Sequence, residues 1–226
     1  MTAQLRLRRR RIVSVAVAAC AVVATAPLLT ACGDDREPRV AAAAPSPYGS
    51  PGATVSPRRL TEDQAERKAL IQATKVPWDK AAGTAVAGVQ EGKLAEIELK
   101  WARSAVGSPS PGPRTPEWVS TVAAQDGTAY TVRVDAVSGK VTESRVETGQ
   151  APDDKRELAG RLSAAKVTPQ QAVKTATDRK KGTVAAVELD DTVWSVDVVT
   201  TNDWYKTTYD IDTRTGKIVR EHVDRD

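Results

Sequence analysis

The sequence predicts an α+β protein made of two tandem small domains, each a helix packed on an antiparallel β-sheet. The first observation is a repeat, because residues 130–141 of the 226-residue chain return as residues 207–218 with the same ending, Asp-x-x-(Ser/Thr)-Gly-Lys and an apolar residue. The second is that apolar and polar residues alternate along both copies, a period of two that is typical of a half-buried strand. Asp can bond its own turn backbone and Gly can adopt a positive φ, so each copy predicts a hairpin.

The N-terminus predicts export followed by lipid attachment. A basic head, residues 6–11, precedes an apolar body, residues 12–29, which is the layout of a secretory signal peptide. The run Leu29-Thr30-Ala31-Cys32-Gly33 resembles the lipobox of bacterial lipoproteins, in which the Cys is acylated through its sulfur and the peptide is cut just before it. This resemblance implies that Cys32 carries a fatty acyl group such as palmitate. The lipid would hold the chain at the extracytoplasmic face of the cell membrane.

Other interpretations of the N-terminus stay open. An uncleaved membrane anchor is one, because about 18 apolar residues can span a bilayer. Cys20 is a poorer lipobox match, since the apolar core before it would be shorter than the roughly 7–15 residues that a signal needs. The arginines permit either general secretion or twin-arginine export. With Cys32 as the first residue, the mature chain has no second thiol for a disulfide or a Cys metal site.

Composition sets the expected boundaries of the domains. Segments rich in Pro, Gly, Ser or Ala cannot form a ladder or bury a core, so they predict tethers and loops. We therefore expect a signal peptide over 1–31, an Ala/Pro-rich tether over 32–57, a first domain over 58–147 with a Pro-rich loop at 102–116, a linker over 148–155 and a second domain over 156–226.

Capping signals and alternation predict the same elements in both copies. Thr61 begins a Ser/Thr-x-x-Gln capping box for a helix over 62–74, and a second helix is expected from Pro77 to about residue 90. Thr168 and Pro169 mark the corresponding start in the second copy. The predicted strands of the first copy are residues 94–99, 118–124, 130–135 and 141–146, with which residues 181–189, 194–198 and 207–218 align.

Taken together, the motifs of the second copy resemble a PepSY domain over residues 166–223. The matching segments are residues 167–173, 182–184, 187–189, 194–198 and 209–218. The first copy, residues 75–146, is a weaker match because the Pro-rich loop interrupts it. The resemblance implies a helix laid on an antiparallel sheet, as found in the propeptides of thermolysin-type peptidases and in many exported bacterial proteins. It also implies a non-catalytic module that restrains peptidases or binds partners near the cell envelope.

The charge distribution gives no footprint for nucleic acid. Five of the 33 basic residues and none of the acidic ones precede Cys32, so 28 basic residues face 29 acidic ones in the remainder. The net charge of +4 therefore reflects the N-terminal arginines. Nucleic acid is not an expected partner.

No catalytic residue, metal ligand or cofactor is predicted. His222 is the only histidine, and a His-dependent triad would need a nucleophile and an orienting acid beside it. Asp210 and Asp212 share a strand face and could bind a cation or act as acid and base. A solvated sheet face predicts the same alternation, and Arg133 takes the place of Asp210 in the other copy. We therefore expect a protein that is not an enzyme.

Tryptophans supply the candidate binding residues. The chain has five Trp and no Phe, and Trp118 and Trp194 occupy the same repeat position, which predicts core anchoring. Trp204 and Tyr205 are expected at a hairpin tip, where exposed aromatic residues often anchor an interface. Folding back over the sheet is the alternative for this pair.

We expect a lipid-anchored binding protein whose partner is a secreted or envelope peptidase or a sensor protein. An extended segment of the partner could pair with an edge of a sheet. An envelope signalling accessory, a structural spacer and a metal-dependent enzyme that uses carboxylates such as Asp210 and Asp212 are the alternatives.

Overall fold

The structure is a computed structural model that describes residues 59–102 and 114–226. Its helices are α1 (Glu62–Ala73), α2 (Trp78–Ala87), α3 (Pro152–Ala164) and α4 (Pro169–Arg179). Its strands are β1 (Lys93–Trp101), β2 (Pro116–Ala123), β3 (Ala129–Asp135), β4 (Val141–Val146), β5 (Thr183–Asp190), β6 (Val193–Val199), β7 (Lys206–Asp212) and β8 (Ile218–Asp224). The predicted α+β class is confirmed. The predicted signal peptide, Cys32, the tether and residues 103–113 of the predicted Pro-rich loop lie outside the described residues.

All eight strands form one antiparallel sheet in the order β4-β3-β2-β1-β5-β6-β7-β8. The first half of the sheet, β1 to β4, meets the second half, β5 to β8, at the β1–β5 pair, which we call the seam. The seam holds three residue pairs: Glu96 opposite Glu188, Ile97 opposite Val187 and Glu98 opposite Ala186. The two halves of the chain therefore share one sheet. Their division into two domains stays a prediction, and α3 begins at Pro152, inside the predicted linker.

Small residues let α2 and α4 approach the sheet closely. The buried face of α2 consists of Ala81, Ala82 and Ala85, and that of α4 of Ala172, Val173 and Ala176. Trp118 and Trp194 lie in the core below them, each 1% exposed, and an indole buries roughly 150–250 Å² of surface. The expected core role of both tryptophans is confirmed. α2 ends at Ala87, earlier than predicted, because Gly88 forms its C-cap.

Equivalent hydrogen bonds fix the start of α2 and of α4. Trp118 Nε1 donates to the carbonyl of Val76 at 2.8 Å, and Trp194 Nε1 donates to the carbonyl of Val167 at 2.8 Å. Two successive backbone N–H groups before each helix also donate to one carbonyl of a hairpin turn, residue 136 in the first half and residue 213 in the second. We call this set the helix-start clasp. It joins the start of a helix to β2 or β6 and to the turn that ends β3 or β7.

The repeated Asp-x-x-(Ser/Thr)-Gly-Lys motif forms these turns, as predicted. Asp135 Oδ1 accepts the backbone N–H of Ser138 at 2.6 Å, and Asp212 Oδ1 accepts that of Thr215 at 2.7 Å. The glycine that follows has φ of 73° in the first turn and 71° in the second, a left-handed conformation that favours Gly. The motif therefore places the carbonyl that the clasp requires.

α1 contacts the end of β8, and α3 contacts the β2–β3 turn. Arg67 Nη1 of α1 donates to Asp224 Oδ2 at the end of β8, at 2.9 Å. Lys155 Nζ of α3 donates to Thr128 Oγ1 in the β2–β3 turn, at 3.0 Å. α1 thus precedes the first half in the chain but is fastened to the second half, which ties the two repeats together across the seam.

Candidate functional site

A cleft of about 510 Å³ lies between the two repeats on the helix side of the sheet. One wall comes from α1, the α1–α2 connection and Trp118, and the other from α4 and the beginning of β5. The lining residues are Ile71, Thr74, Lys75, Val76, Pro77, Trp78, Asp79, Trp118, Val173, Thr177, Gly182, Thr183 and Val184. Since both repeats supply residues, the cleft depends on their sharing one sheet.

The helix-start clasp builds the first wall. The carbonyl of Val76 accepts the hydrogen bond from Trp118 Nε1, and Pro77 then precedes the first helical residue, Trp78. Pro77 has extended backbone angles of φ −71° and ψ 160°, so the chain turns sharply into α2. The half-buried indole of Trp78 is thereby placed on the cleft.

A glycine allows the second wall to approach the sheet. A Cβ atom on Gly182 would lie 2.6 Å from Val198 Cγ1 and 2.6 Å from the carbonyl oxygen of Val199, closer than side chains tolerate. Gly92 occupies the equivalent position in the first half, where a Cβ atom would lie 2.8 Å from Val122 Cγ1. Only Gly lets the chain pass so near β6 between the end of α4 and β5.

The chemistry of the cleft suits an apolar segment of a polypeptide. Its walls are mostly aliphatic or aromatic. The hydroxyl of Thr74 donates to the Leu70 carbonyl at 2.9 Å and that of Thr177 donates to the Val173 carbonyl at 2.8 Å, so their oxygens can accept the N–H of a bound peptide. Lys75 and Asp79 are its charged residues, and both are exposed. The arrangement supports binding.

Trp204 and Tyr205 lie in the β6–β7 connection and do not line the cleft. Both are half-buried, and Trp204 has a positive φ of 59°. The Trp204 carbonyl accepts Arg67 Nε at 3.1 Å, and Lys68 Nζ lies 5.8 Å from the centroid of the indole. α1 is the element that connects this tip with the cleft, because Ile71 of the same helix lines it. A binding role for the pair stays a prediction.

The carboxylates considered from the sequence have structural partners. Asp210, 5% exposed, accepts Ser195 Oγ at 2.9 Å and Arg220 Nε at 2.6 Å. Asp212 accepts the Thr215 hydroxyl in its turn, and the bonds from Thr215 hold the pKa of this carboxyl below its ordinary value of 3.8. In the described part of the chain, no three His, Cys, Asp or Glu side chains gather where they could bind a metal ion.

Sequence reasoning missed the cleft because its walls come from segments about 100 residues apart. Two signals point to it once the repeats are aligned. Pro77 and Trp78 mark a helix start with an aromatic residue at its edge, and Gly182 repeats the constrained glycine Gly92. Neither signal shows that the two walls face each other.

Residues 166–222 match the sequence model of the family described as peptidase propeptide and YPEB domain, PepSY. This confirms the resemblance predicted for the second half of the chain. A comparison with curated proteins gives no match. None of the helices in residues 59–102 and 114–226 combines the length and apolar character that a membrane span needs.

Two solved structures are similar to this chain. One is a candidate lipoprotein (CD1622) from Clostridium difficile 630, with 16% sequence identity and a TM-score of 0.41. The match covers 67% of this chain and 95% of the chain of that structure. The other is the YpmB protein from Bacillus subtilis, with 16% sequence identity and a TM-score of 0.24. The match covers 66% of this chain and 100% of the YpmB chain.

The helix-free face of the sheet, which we call the open face, carries carboxylates on both sides of the seam. Glu96 lies directly opposite Glu188, and like charges in such a cross-strand pair repel. Loss of solvent at the sheet surface, followed by the charges of Glu96, Asp190, Glu98 and Asp197, raises the pKa of Glu188 from 4.5 to about 7. Loss of solvent and the charge of Glu98 also raise the pKa of Glu96. Ionisation of Glu188 should therefore weaken the seam.

Replacing Glu188 with Gln should stabilise the protein more at pH 8 than at pH 5. The folded state binds the Glu188 proton more tightly than the unfolded chain, so this stability is present at low pH and is lost as the pH rises from 4.5 to about 7. Gln stays neutral at both pH values. Because Glu188 is exposed and solvent screens the repulsion, we expect a gain of about 1 kcal/mol at pH 8, measured by urea denaturation.

The control for this experiment is Glu221→Gln on β8. The Glu221 carboxylate lies 3.4 Å from Arg179 Nε instead of among carboxylates. An equal gain at pH 8 in both variants would show that repulsion at the seam is not the cause.

Proposed function

We propose that this protein is a non-catalytic binding module of the bacterial cell envelope that restrains a secreted or envelope peptidase. A lipid on Cys32 holds it at the extracytoplasmic face of the membrane, and the cleft between its two PepSY-like repeats holds an apolar segment of the peptidase. The observation that carries the proposal is the cleft itself, which has aromatic and aliphatic walls and threonine hydroxyl oxygens that can accept a peptide N–H.

The family match supports the proposal for one wall of the cleft. Residues 166–222 include α4 and the beginning of β5, which supply Val173, Thr177 and residues 182–184. Because the family description names peptidase propeptides, a peptidase is the partner class that fits this wall best.

The equivalent geometry of the first half supports the proposal for the other wall. Trp118 Nε1 and Trp194 Nε1 each donate to the carbonyl of the residue that precedes a helix N-cap, at the same distance of 2.8 Å. The turns of both halves bond their backbone in the same pattern, and a register shift falls at the same step of the β3–β4 and β7–β8 pairs. On this basis the first half is a second PepSY-like repeat that has gained a Pro-rich loop.

The lining residues define what the partner segment should look like. An aliphatic or aromatic side chain would fill the space beside Trp78 and Val173, and its flanking peptide groups would meet the threonine hydroxyls. Lys75 and Asp79, both exposed at the cleft, favour a segment with a charged residue of each sign beside the apolar anchor. An extended segment of a peptidase, held near its substrate groove, would be restrained by such contacts.

The direct test uses the chain from Gly33 to Asp226 as bait against secreted and envelope proteins of the source organism. Recovery of a peptidase whose hydrolysis of a peptide substrate falls stoichiometrically with added chain is the expected result. Recovery of a sensor protein without any effect on peptidases would replace the peptidase by a signalling partner. If no protein is retained at micromolar bait, the proposed function is wrong.

A bulky residue in the cleft should weaken binding. Thr177→Trp fills the space between the walls, so we expect the affinity for the recovered partner to fall at least about tenfold, or about 1.4 kcal/mol, measured by calorimetric titration. Lys174→Trp introduces the same side chain on an exposed position of α4 that does not line the cleft, and should bind normally. Equal losses in the two variants would place the binding surface elsewhere.

Removal of the lipidated cysteine should release the protein from the membrane. Cys32→Ser is expected to eliminate incorporation of a labelled palmitate analogue and to move the protein from the membrane fraction to the soluble one. Cys20→Ser, at the poorer lipobox match, should leave both unchanged. Labelling that survives in Cys32→Ser and disappears in Cys20→Ser would assign the anchor to the other cysteine.

A further inference from the structure

The two edge strands of the sheet, β4 and β8, occupy equivalent places in the two repeats but differ in charge. Their registers correspond, since Glu143, Ser144 and Arg145 pair with β3 as Arg220, Glu221 and His222 pair with β7. An edge strand leaves half of its N–H and C=O groups available for another strand, and charged residues guard against such pairing. β8 has three charged or titratable residues in this stretch, and β4 has an uncharged Ser at the centre.

β4 exposes apolar surface at two positions, whereas β8 exposes one valine, Val219, at its register shift. Val141 is 44% exposed and Val146 is 47% exposed, at opposite ends of the strand. Ser144 and Val146 lie opposite Val132 and Tyr130, and therefore on the helix side of the sheet. Another strand added to this edge would cover both valines.

The hydrogen bonds of β4 to β3 determine which of its backbone N–H groups point away from the sheet. The N–H of Glu147 bonds the carbonyl of Ala129 on β3 at 2.9 Å. Because the direction of N–H groups alternates along a strand, Arg145 and Glu143 also direct theirs toward β3, whereas Ser144 and Val146 direct theirs outward. An antiparallel partner can therefore exchange hydrogen bonds with Ser144.

We infer that a second copy of this chain pairs with β4 in an antiparallel, two-fold symmetric arrangement centred on Ser144. In this register the two Ser144 residues exchange backbone hydrogen bonds, and Glu143 of each copy lies opposite Arg145 of the other. Both charged residues are on the open face, so each pair has opposite charges. A two-fold interface of this kind uses the same surface twice, which is the commonest symmetry of oligomers.

The charges beside the edge already alternate in the order that this pairing continues. On the open face Arg133 contacts Glu117 on one side, and its Nε lies 2.9 Å from Glu143 Oε2 on the other. Arg145 of the second copy would follow Glu143 as the next positive charge in the row. Within one chain Arg145 Nε also lies 2.8 Å from Glu143 Oε1, so the new pairs continue an existing row of ion pairs and place no like charges directly opposite each other.

The same register on β8 is unfavourable. It would place Glu221 opposite its own copy, and like charges directly opposite destabilise a strand pair. Arg220 would lie opposite His222 instead of an acidic residue. A shift by one residue would bring Arg220 opposite Asp224, but Asp224 is held by Arg67 of α1, an element outside the sheet. Glu143 and Arg145 of β4 also have partners, but these lie on β3 and β4 beside the edge. The self-complementary edge is therefore β4.

A disulfide between the two central residues tests this pairing in the full chain. Hydrogen-bonded antiparallel residues have Cα atoms about 5.5 Å apart, which lies within the range for a disulfide. We expect Ser144→Cys, expressed with its own N-terminus and oxidised in membranes, to give at least about ten times more crosslinked dimer than Glu221→Cys. The wild-type chain reports any crosslink from Cys20 or Cys32. Equal crosslinking at residues 144 and 221 would overturn the proposal.

Charge reversal supplies a second test that does not depend on a single variant. In the Ser144→Cys chain, Glu143→Arg should reduce the crosslink about tenfold by opposing Arg to Arg, and Arg145→Glu should do the same by opposing Glu to Glu. Co-expression of the two variants should restore it, because the mixed pair is complementary at both positions. If the mixture crosslinks no better than either variant alone, while circular dichroism shows both folded, the inferred register is wrong.

Discussion

One hydrogen bond in each repeat holds a helix to the sheet, and the rest of the structure depends on it. The indole N–H of Trp118 or Trp194 crosses from the sheet to the carbonyl of the residue that precedes the N-cap of the helix. A buried carbonyl that loses its hydrogen-bond donor typically lowers the free energy of unfolding by about 1–3 kcal/mol, in addition to the contribution of the buried ring. Because this carbonyl belongs to the chain just before the helix, the bond fixes both the position and the direction of the helix start.

The clasp also shapes the cleft. Val76 and Trp118 are clasp residues of the first repeat and cleft residues at the same time. The opposite wall belongs to the second repeat, so the seam between β1 and β5 decides whether the walls face each other. The seam has three residue pairs, and one of them opposes two glutamates. The contact of Arg67 on α1 with Asp224 on β8 also links the two halves of the chain. Binding in the cleft would add another contact across the same junction.

Much of the fold could be predicted because it is encoded locally. Alternation identified the strands, Thr61 identified a capping box and Thr168 an N-cap. The Asp and Gly of the repeated motif identified turns that the structure confirms. The seam could not be predicted, because pairing of Glu96 with Glu188 has no local signal and contradicts simple charge complementarity. The fastening of α1 to the second half was missed for the same reason. Trp204 shows the limit most clearly, since its contact with Arg67 joins residues 137 positions apart.

The most direct measurement of the central claim, two equivalent repeats that fold as one unit, is urea unfolding of Trp118→Phe and Trp194→Phe followed by circular dichroism. We predict one cooperative transition in each variant and losses that agree within about 1 kcal/mol, each in the range of about 1–3 kcal/mol expected for an unpaired buried carbonyl. Trp101→Phe is the control, because Trp101 Nε1 has no hydrogen-bond partner among the described residues. A loss confined to Trp194→Phe, or separate transitions for the two halves, would contradict the claim.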